Sequence, residues 1–302
     1  MAGAQQEAGL LVACLRPGDL DRGRRGALTV YRVGDSVTAL GDIGPIGDQS
    51  RDPTIAVHGA RAVIGWRDAG VFVARARGVE LDGDTLGEAT WLSTEQNLAS
   101  APGLLFEEGR LIYAWTESWF HEGSPSGQLL VRREGQPPRP SLAVHDIDVY
   151  TFLTADAQGP MVAVRDMRPR GARHRSFVGR LDEDLRLEES AIESPGRADG
   201  ADARPMLVPC GGHTFSVATR RSSREVTMVT LRRLDAALEP VEGEQQIYEY
   251  HARFTQAVGV CVQDRVLVLV GERQTEIQPR PRLRTYELVC GAGRAHERTP
   301  SR

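Results

Sequence analysis

Four arginines are the first residues whose type and spacing suggest chemistry. Arg67, Arg165, Arg220 and Arg273 each stand two positions after a small residue inside an apolar run, where the two remaining copies of the run carry Leu15 and Thr116. A guanidinium presents a planar fork of donors, so such a column suits a carboxylate, phosphate or sulfate. A solvated strand end accounts for it equally well. A second group, Trp119, Phe120 and His121, opens the segment SWFHEGSPSG over 118–127, expected here as a loop. Aromatic faces on a loop stack on a sugar or a peptide, although packing into the loop's own small core is the plainer reading. Arg168, Arg170, Arg173, His174 and Arg175 make a local basic patch in an acidic chain, and a solvated loop is its commoner meaning.

Catalytic and metal signatures are missing, so no catalytic residue, no metal and no cofactor is expected. Asp82-Gly-Asp84-Thr-Leu-Gly87 faintly resembles a calcium loop, but Ser93 occupies the position where such a loop needs glutamate. Asp146 and Asp148 are a weak carboxylate pair. Pro125 stands where a nucleophile elbow requires serine, and GAGRAH at 291–296 is followed by no helix pattern. The seven histidines show no ligand spacing. All 37 basic side chains are arginine, as coding bias in a GC-rich genome would produce. The missing lysine excludes Schiff-base, phosphate-loop and lysine general-base chemistry.

The elements that must position these residues are short strands in repeated units. Six segments, LLVACLR, AVIGWRD, LIYAWTE, PMVAVRD, FSVATRR and VLVGERQ, centre on Ala13, Gly65, Ala114, Ala163, Ala218 and Gly271. Their spacings are 52, 49, 49, 55 and 53 residues, too even for accident. Residues on both sides of the strand are apolar, whereas a half-exposed sheet would alternate. Each unit adds a strand before this one (TIAVHG, GLLFEEG) and two after it (VFVARAR, then the weaker TWLST). No long segment keeps a helical period. Four-stranded units whose sheets are covered on both faces predict an all-β, six-bladed β-propeller in one domain over 1–302. The units run approximately 1–50, 51–98, 99–147, 148–200, 201–251 and 252–302. The polar start MAGAQQEA and the ending GAGRAHERTPSR predict incomplete first and last blades. Trp66 and Trp115, next after the small residue, are expected between blades.

A net charge of −4 disfavours nucleic acid, and no apolar stretch approaches a membrane span. Leu11-Val12-Ala13-Cys14 mimics a lipoprotein cleavage box, but its flanks lack the required charge and apolar length. No signal peptide is visible; a natural start upstream would place the protein outside the cytoplasm. Cys14, Cys210, Cys261 and Cys290 show no CxxC spacing and read as buried thiols, with disulfides only after export.

The six strand segments make the whole chain resemble six-bladed propellers of the sialidase-like, BNR-repeat sort. The likeness is architectural. The Asp-box of that family is not intact, its nearest echo being Asp84-Thr-Leu-Gly87-Glu-Ala-Thr-Trp91, and its Arg-Ile-Pro motif is absent. The resemblance implies that the second strand ends near a ligand-binding mouth. The leading expectation is a monomeric, non-enzymatic propeller that recognises a protein or glycan, anionic if the arginine column takes part. A sialidase-like glycoside hydrolase and a structural fragment of a larger assembly are the alternatives.

Overall fold

The computed structural model describes residues 2–6, 9–16, 26–47, 50–70, 74–121, 124–144, 151–166, 175–187, 192–193, 206–221, 227–241, 245–250, 255–262, 264–272, 282–289 and 295–298. Every regular element among them is a strand. In the first sheet, β1 (Ala2–Gln6), β2 (Gly9–Arg16), β3 (Gly26–Val33) and β4 (Val37–Ile46) pair in chain order. The second has β5 (Arg51–His58), β6 (Arg61–Ala69), β7 (Ala74–Asp82) and β8 (Thr85–Leu86), with β9 (Thr90–Trp91) also on β7. The third has β10 (Leu98–Ala99) and β11 (Gly103–Glu107) along one side of β12 (Arg110–His121), followed by β13 (Ser124–Arg133) and β14 (Arg139–Val144).

The remaining three sheets repeat the meander. They are β15 (Thr151–Asp156), β16 (Gly159–Asp166), β17 (Arg175–Arg180) and β18 (Ile192–Glu193); then β19 (Met206–Cys210), β20 (His213–Arg221), β21 (Thr227–Leu234) and β22 (Gln245–Tyr250); then β23 (Thr255–Val262), β24 (Arg265–Glu272), β25 (Arg282–Val289) and β26 (Ala295–Arg298). The described chain divides into two compact units, Met1–Leu153 with Glu183–Arg186, and Thr154–Asp182 with Leu187–Arg302. All six small residues, Ala13 through Gly271, lie on the second strand of their sheets.

Two-sided burial of that strand has a direct cause in the first unit. Leu11, Ala13, Leu28 and Val30 of the first sheet share a core with Ala62, Ile64, Trp66 and Val79 of the second. The opposite face of the second sheet, carrying Ala56, Val63 and Ala76, packs on Leu104, Leu111, Tyr113, Trp115 and Leu130 of the third. Successive strand residues point to opposite faces, so a strand covered on both sides must be apolar at both parities. Trp66 and Trp115 are completely buried in these two seams. The small residue is set by close approach. A Cβ on Gly65 would lie 2.6 Å from Pro102 Cγ. Gly103, directly paired with Ala114, would meet Leu153 Cβ at 2.9 Å.

Both chain ends depart from the expectation of incomplete blades. Polar β1 pairs with β2 from Ala2↔Ala13 to Gln6↔Gly9, and β26 pairs with β25 from Thr285↔Arg298 to Leu288↔Ala295. Backbone pairing does not require apolar side chains, and at β1 a polar one completes the fit. Gln6 is buried, donates from Nε2 to the Gly59 and Ala60 carbonyls of the second sheet, and accepts from Arg32 Nη2. Fully partnered, a buried amide is tolerated.

Candidate functional site

Of the four-arginine column, Arg67 is the member whose side chain is described. It is half-buried near the end of β6, paired with Ala76, and donates from Nε to the Ala99 carbonyl of the third sheet at 3.1 Å. Arg165 and Arg220 stand on β16 and β20 opposite Ser176 and Met228, but their side chains lie outside the described residues. Arg273 lies outside them altogether, as do Asp146, Asp148 and four members of the basic patch, Arg168, Arg170, Arg173 and His174.

The segment expected as an aromatic loop is instead a hairpin. β12 continues through His121, with Trp119↔Ser126, Phe120↔Pro125 and His121↔Ser124 in unbroken antiparallel register. The run of β-branched and aromatic residues from Ile112 to Phe120 explains this, because such residues favour the pleated backbone. Trp119 is half-buried, and strand alternation places it on the same face as Trp115 and Glu117. The side chains of Phe120 and His121 lie outside the described residues.

The chemistry at the strand ends is carried by residues three past the small one. Glu117 is 1 % exposed, and its carboxylate collects four hydrogen bonds from neutral donors. Oε1 accepts from Thr94 N–H and Trp115 Nε1–H, both at 3.0 Å. Oε2 accepts from the Thr94 hydroxyl at 3.0 Å and Asn97 Nδ2–H at 2.8 Å. Burial alone pushes a carboxyl pKa up, yet the Asn97, Thr94 and Trp115 hydrogen bonds outweigh it and hold Glu117 below its ordinary value. Thr94 and Asn97 belong to the connection between β9 and β10, so Glu117 ties that connection to the strand.

Asp68, three past Gly65 and 8 % exposed, does the same in the second sheet. Its Oδ1 accepts from Gly47 N–H at 2.7 Å and the Ser50 hydroxyl at 2.9 Å, both in the connection between β4 and β5. Its Oδ2 pairs with Arg77 at 3.0 Å. Asp68 therefore pairs with Arg77, not with its sequence neighbour Arg67, and Glu117 takes loop donors. Sequence alone did not reveal these two anchors, although both were visible as acids at one recurring position. Their donors, Ser50, Thr94 and Asn97, sit in unpatterned connections.

Arg77 also lies 4.6 Å from the Trp91 ring centroid and Arg75 lies 4.1 Å from it. That half-exposed indole thus packs on two guanidiniums, which accounts for a tryptophan at the Asp-box echo without any box. Among the described residues, no group of three or more His, Cys, Asp or Glu is placed to hold a metal.

Six meander sheets of this kind define a β-propeller, and known structures bear on which sort. The fold is similar to that of Trypanosoma rangeli sialidase in complex with sialic acid, at a TM-score of 0.57 and 10% identity, over 96% of this chain and 54% of that one. The same enzyme in complex with the inhibitor DANA matches at a TM-score of 0.56 and 11% identity, over 91% and 53%. The Bombyx mori GH32 β-fructofuranosidase BmSUC1 matches at 0.52 and 13%, over 84% and 63%. The chain thus spans less than two thirds of the length of each. The likeness is one of fold, that of the sialidase-like propellers. No protein-family model matches the sequence, and no curated protein matches it.

Proposed function

We propose that this chain is a binding propeller for a glycan, and that the buried acids of its first unit hold the scaffold together instead of cleaving glycosidic bonds. The observation that carries this reading is the state of Glu117. Two-carboxylate glycoside hydrolysis uses one acid with a raised pKa that gives up its proton and a second that attacks or activates water. Glu117 is held in the opposite direction, and its four hydrogen bonds occupy both oxygens. Asp68 is likewise engaged by Gly47, Ser50 and Arg77.

Glycan is the favoured ligand class for two reasons. The sialidase of similar fold holds a sugar acid, and Trp119 places a half-buried indole on the face of Glu117. Indole faces stack on sugar rings. Arg165 and Arg220, each on the second strand of its sheet, are of the residue type that suits an acidic or a sulfated sugar. The second reading is a glycoside hydrolase, favoured because the proteins of similar fold carry that activity in their names.

Binding and turnover are separable in one experiment. The native protein, Trp119→Ala and Arg165→Ala are each incubated with sialosides, fructosides and sulfated glycans, and both retained ligand and released sugar are measured. The binding reading expects retention without release, weakened at least tenfold in Trp119→Ala. Sugar release by the native protein establishes the hydrolase instead, and neither retention nor release removes both.

A further inference from the structure

Adjacent sheets meet where the first strand turns into the second, through non-covalent contacts at three described seams and a covalent one at a fourth. Gln6 reaches the Gly59 and Ala60 carbonyls between the first and second sheets. His58 lies against Phe106, ring centroids 5.7 Å apart, between the second and third. Asp156 accepts from the Thr214 hydroxyl between the fourth and fifth. Between the fifth and sixth the fastening is covalent: Cys210 and Cys261 form a disulfide across a sequence separation of 51 residues.

The local chain explains why these two sulfurs meet. β19 and β23 lie side by side, their contacts advancing together along both strands. Gly259 N–H donates to Met206 Sδ, and a Cβ on Gly259 would lie 2.6 Å from Val208 Cγ2, so glycine lets the strands approach. Two residues further along each strand the next pair is Cys210 and Cys261, with a Cα–Cα distance of 5.3 Å, within the range a disulfide spans. Cys210 is buried in the core of this seam with Phe215 and Val217, whereas Cys261 is exposed. Its strand neighbours Val260 and Val262 are exposed as well. The bond thus joins a buried residue to an exposed one, and exchange depends on access from the exposed side.

We propose that Cys210 and Cys261 form a reversible redox clasp, closed in an oxidising compartment and opened by thiols, that sets the rigidity of this seam. Closure is a two-electron oxidation. Both thiols give up their protons and one S–S bond forms, while a small-molecule disulfide such as oxidised glutathione is reduced to two thiols. Opening reverses each step through a mixed disulfide, with attack at Cys261, the exposed residue of the pair. A link of this span removes entropy chiefly from the unfolded chain, so its loss lowers stability without removing a strand.

The test uses the full chain equilibrated in glutathione buffers of graded oxidised-to-reduced ratio, followed by acid quench, alkylation and peptide mapping. The peptides bearing Cys210 and Cys261 should be joined in oxidising buffer and separately alkylated in reducing buffer, with the same fraction reached from either direction. Reduction should lower the melting temperature by about 5–10 °C. Cys261→Ser should melt where the reduced native protein does and ignore the reductant. Alkylation of both cysteines at every ratio, or an unchanged melting temperature on reduction, overturns the clasp.

Discussion

The second and third sheets solve one problem with opposite chemistry. Each must hold the connection that enters its first strand, and each uses an acid three residues past the small position of its second strand. In the second sheet, Trp66 pairs across the ladder with Arg77, and that guanidinium neutralises Asp68. In the third, Trp115 pairs with Leu130, so no cross-strand charge is available at that rung and the longer Glu117 gathers neutral donors instead. One of those donors is the indole of Trp115. The shorter Asp68 gives Trp66 no such partner, and Trp66 Nε1 stays buried without an acceptor. A single methylene and one cross-strand residue therefore decide whether the carboxylate is a charged pair or a hydrogen-bond sink.

The largest effect that probes this contrast is loss of a seam tryptophan. Trp115→Ala empties a fully buried site and should cost about 3–5 kcal/mol in chemical denaturation. A cost below about 1 kcal/mol would mean that the indole is not packed in the seam.

Phenylalanine separates packing from hydrogen bonding. Trp115→Phe removes one of the four donors to a buried carboxylate, a loss worth about 1.5–3 kcal/mol in addition to the volume change. Trp66→Phe removes an N–H that has no acceptor, so only the volume term remains. Trp115→Phe should therefore be the more destabilising by more than 1 kcal/mol on that basis. Equal costs would erase the proposed difference between the sheets.

A smaller effect is expected from acid. Glu117 titrates below its ordinary 4.5 when folded, because its hydrogen bonds outweigh the opposing effect of burial. Asp156 is also held below its ordinary 3.8: burial opposes the charge, and bidentate Arg180 outweighs it. Groups depressed in this way bind fewer protons folded than unfolded, so their contribution is complete above the ordinary values. It is lost as the pH falls through them toward the folded ones. Unfolding free energy measured between pH 6 and 2 should decline in that window, with a shallower decline in Asp156→Asn. An identical slope in the variant would show that Asp156 contributes nothing to the acid sensitivity.

The scaffold was largely legible in the sequence because it is written in apolar residues at short range. Ala13 to Gly271 marked the second strand of every sheet, and Trp66 and Trp115 fell in the seams as two-sided burial requires. What escaped depends on partners far away in the chain. Gln6 reads as a polar terminus until its carbonyl partners 53 and 54 residues away are in place. Four cysteines admit several pairings, and β19 lying beside β23 selects one of them. The 118–127 segment carried Gly and Pro at turn positions, and these masked the strand propensity of Trp119 and Phe120. Asp68 follows Arg67 in sequence, but strand alternation turns adjacent residues to opposite faces, and the partner it reaches is Arg77 across the ladder.

Glu117→Gln separates a scaffold role for this buried acid of β12 from a part in bond cleavage. The substitution keeps the shape but sets an amide NH2 against donors and removes the charge they stabilise. Urea denaturation is measured on the variant, together with glycan retention and sugar release by its folded fraction. The variant should be destabilised by about 2–4 kcal/mol, with retention by the folded protein unchanged. A variant as stable as the native protein that has lost sugar release would make Glu117 catalytic and remove its scaffold role.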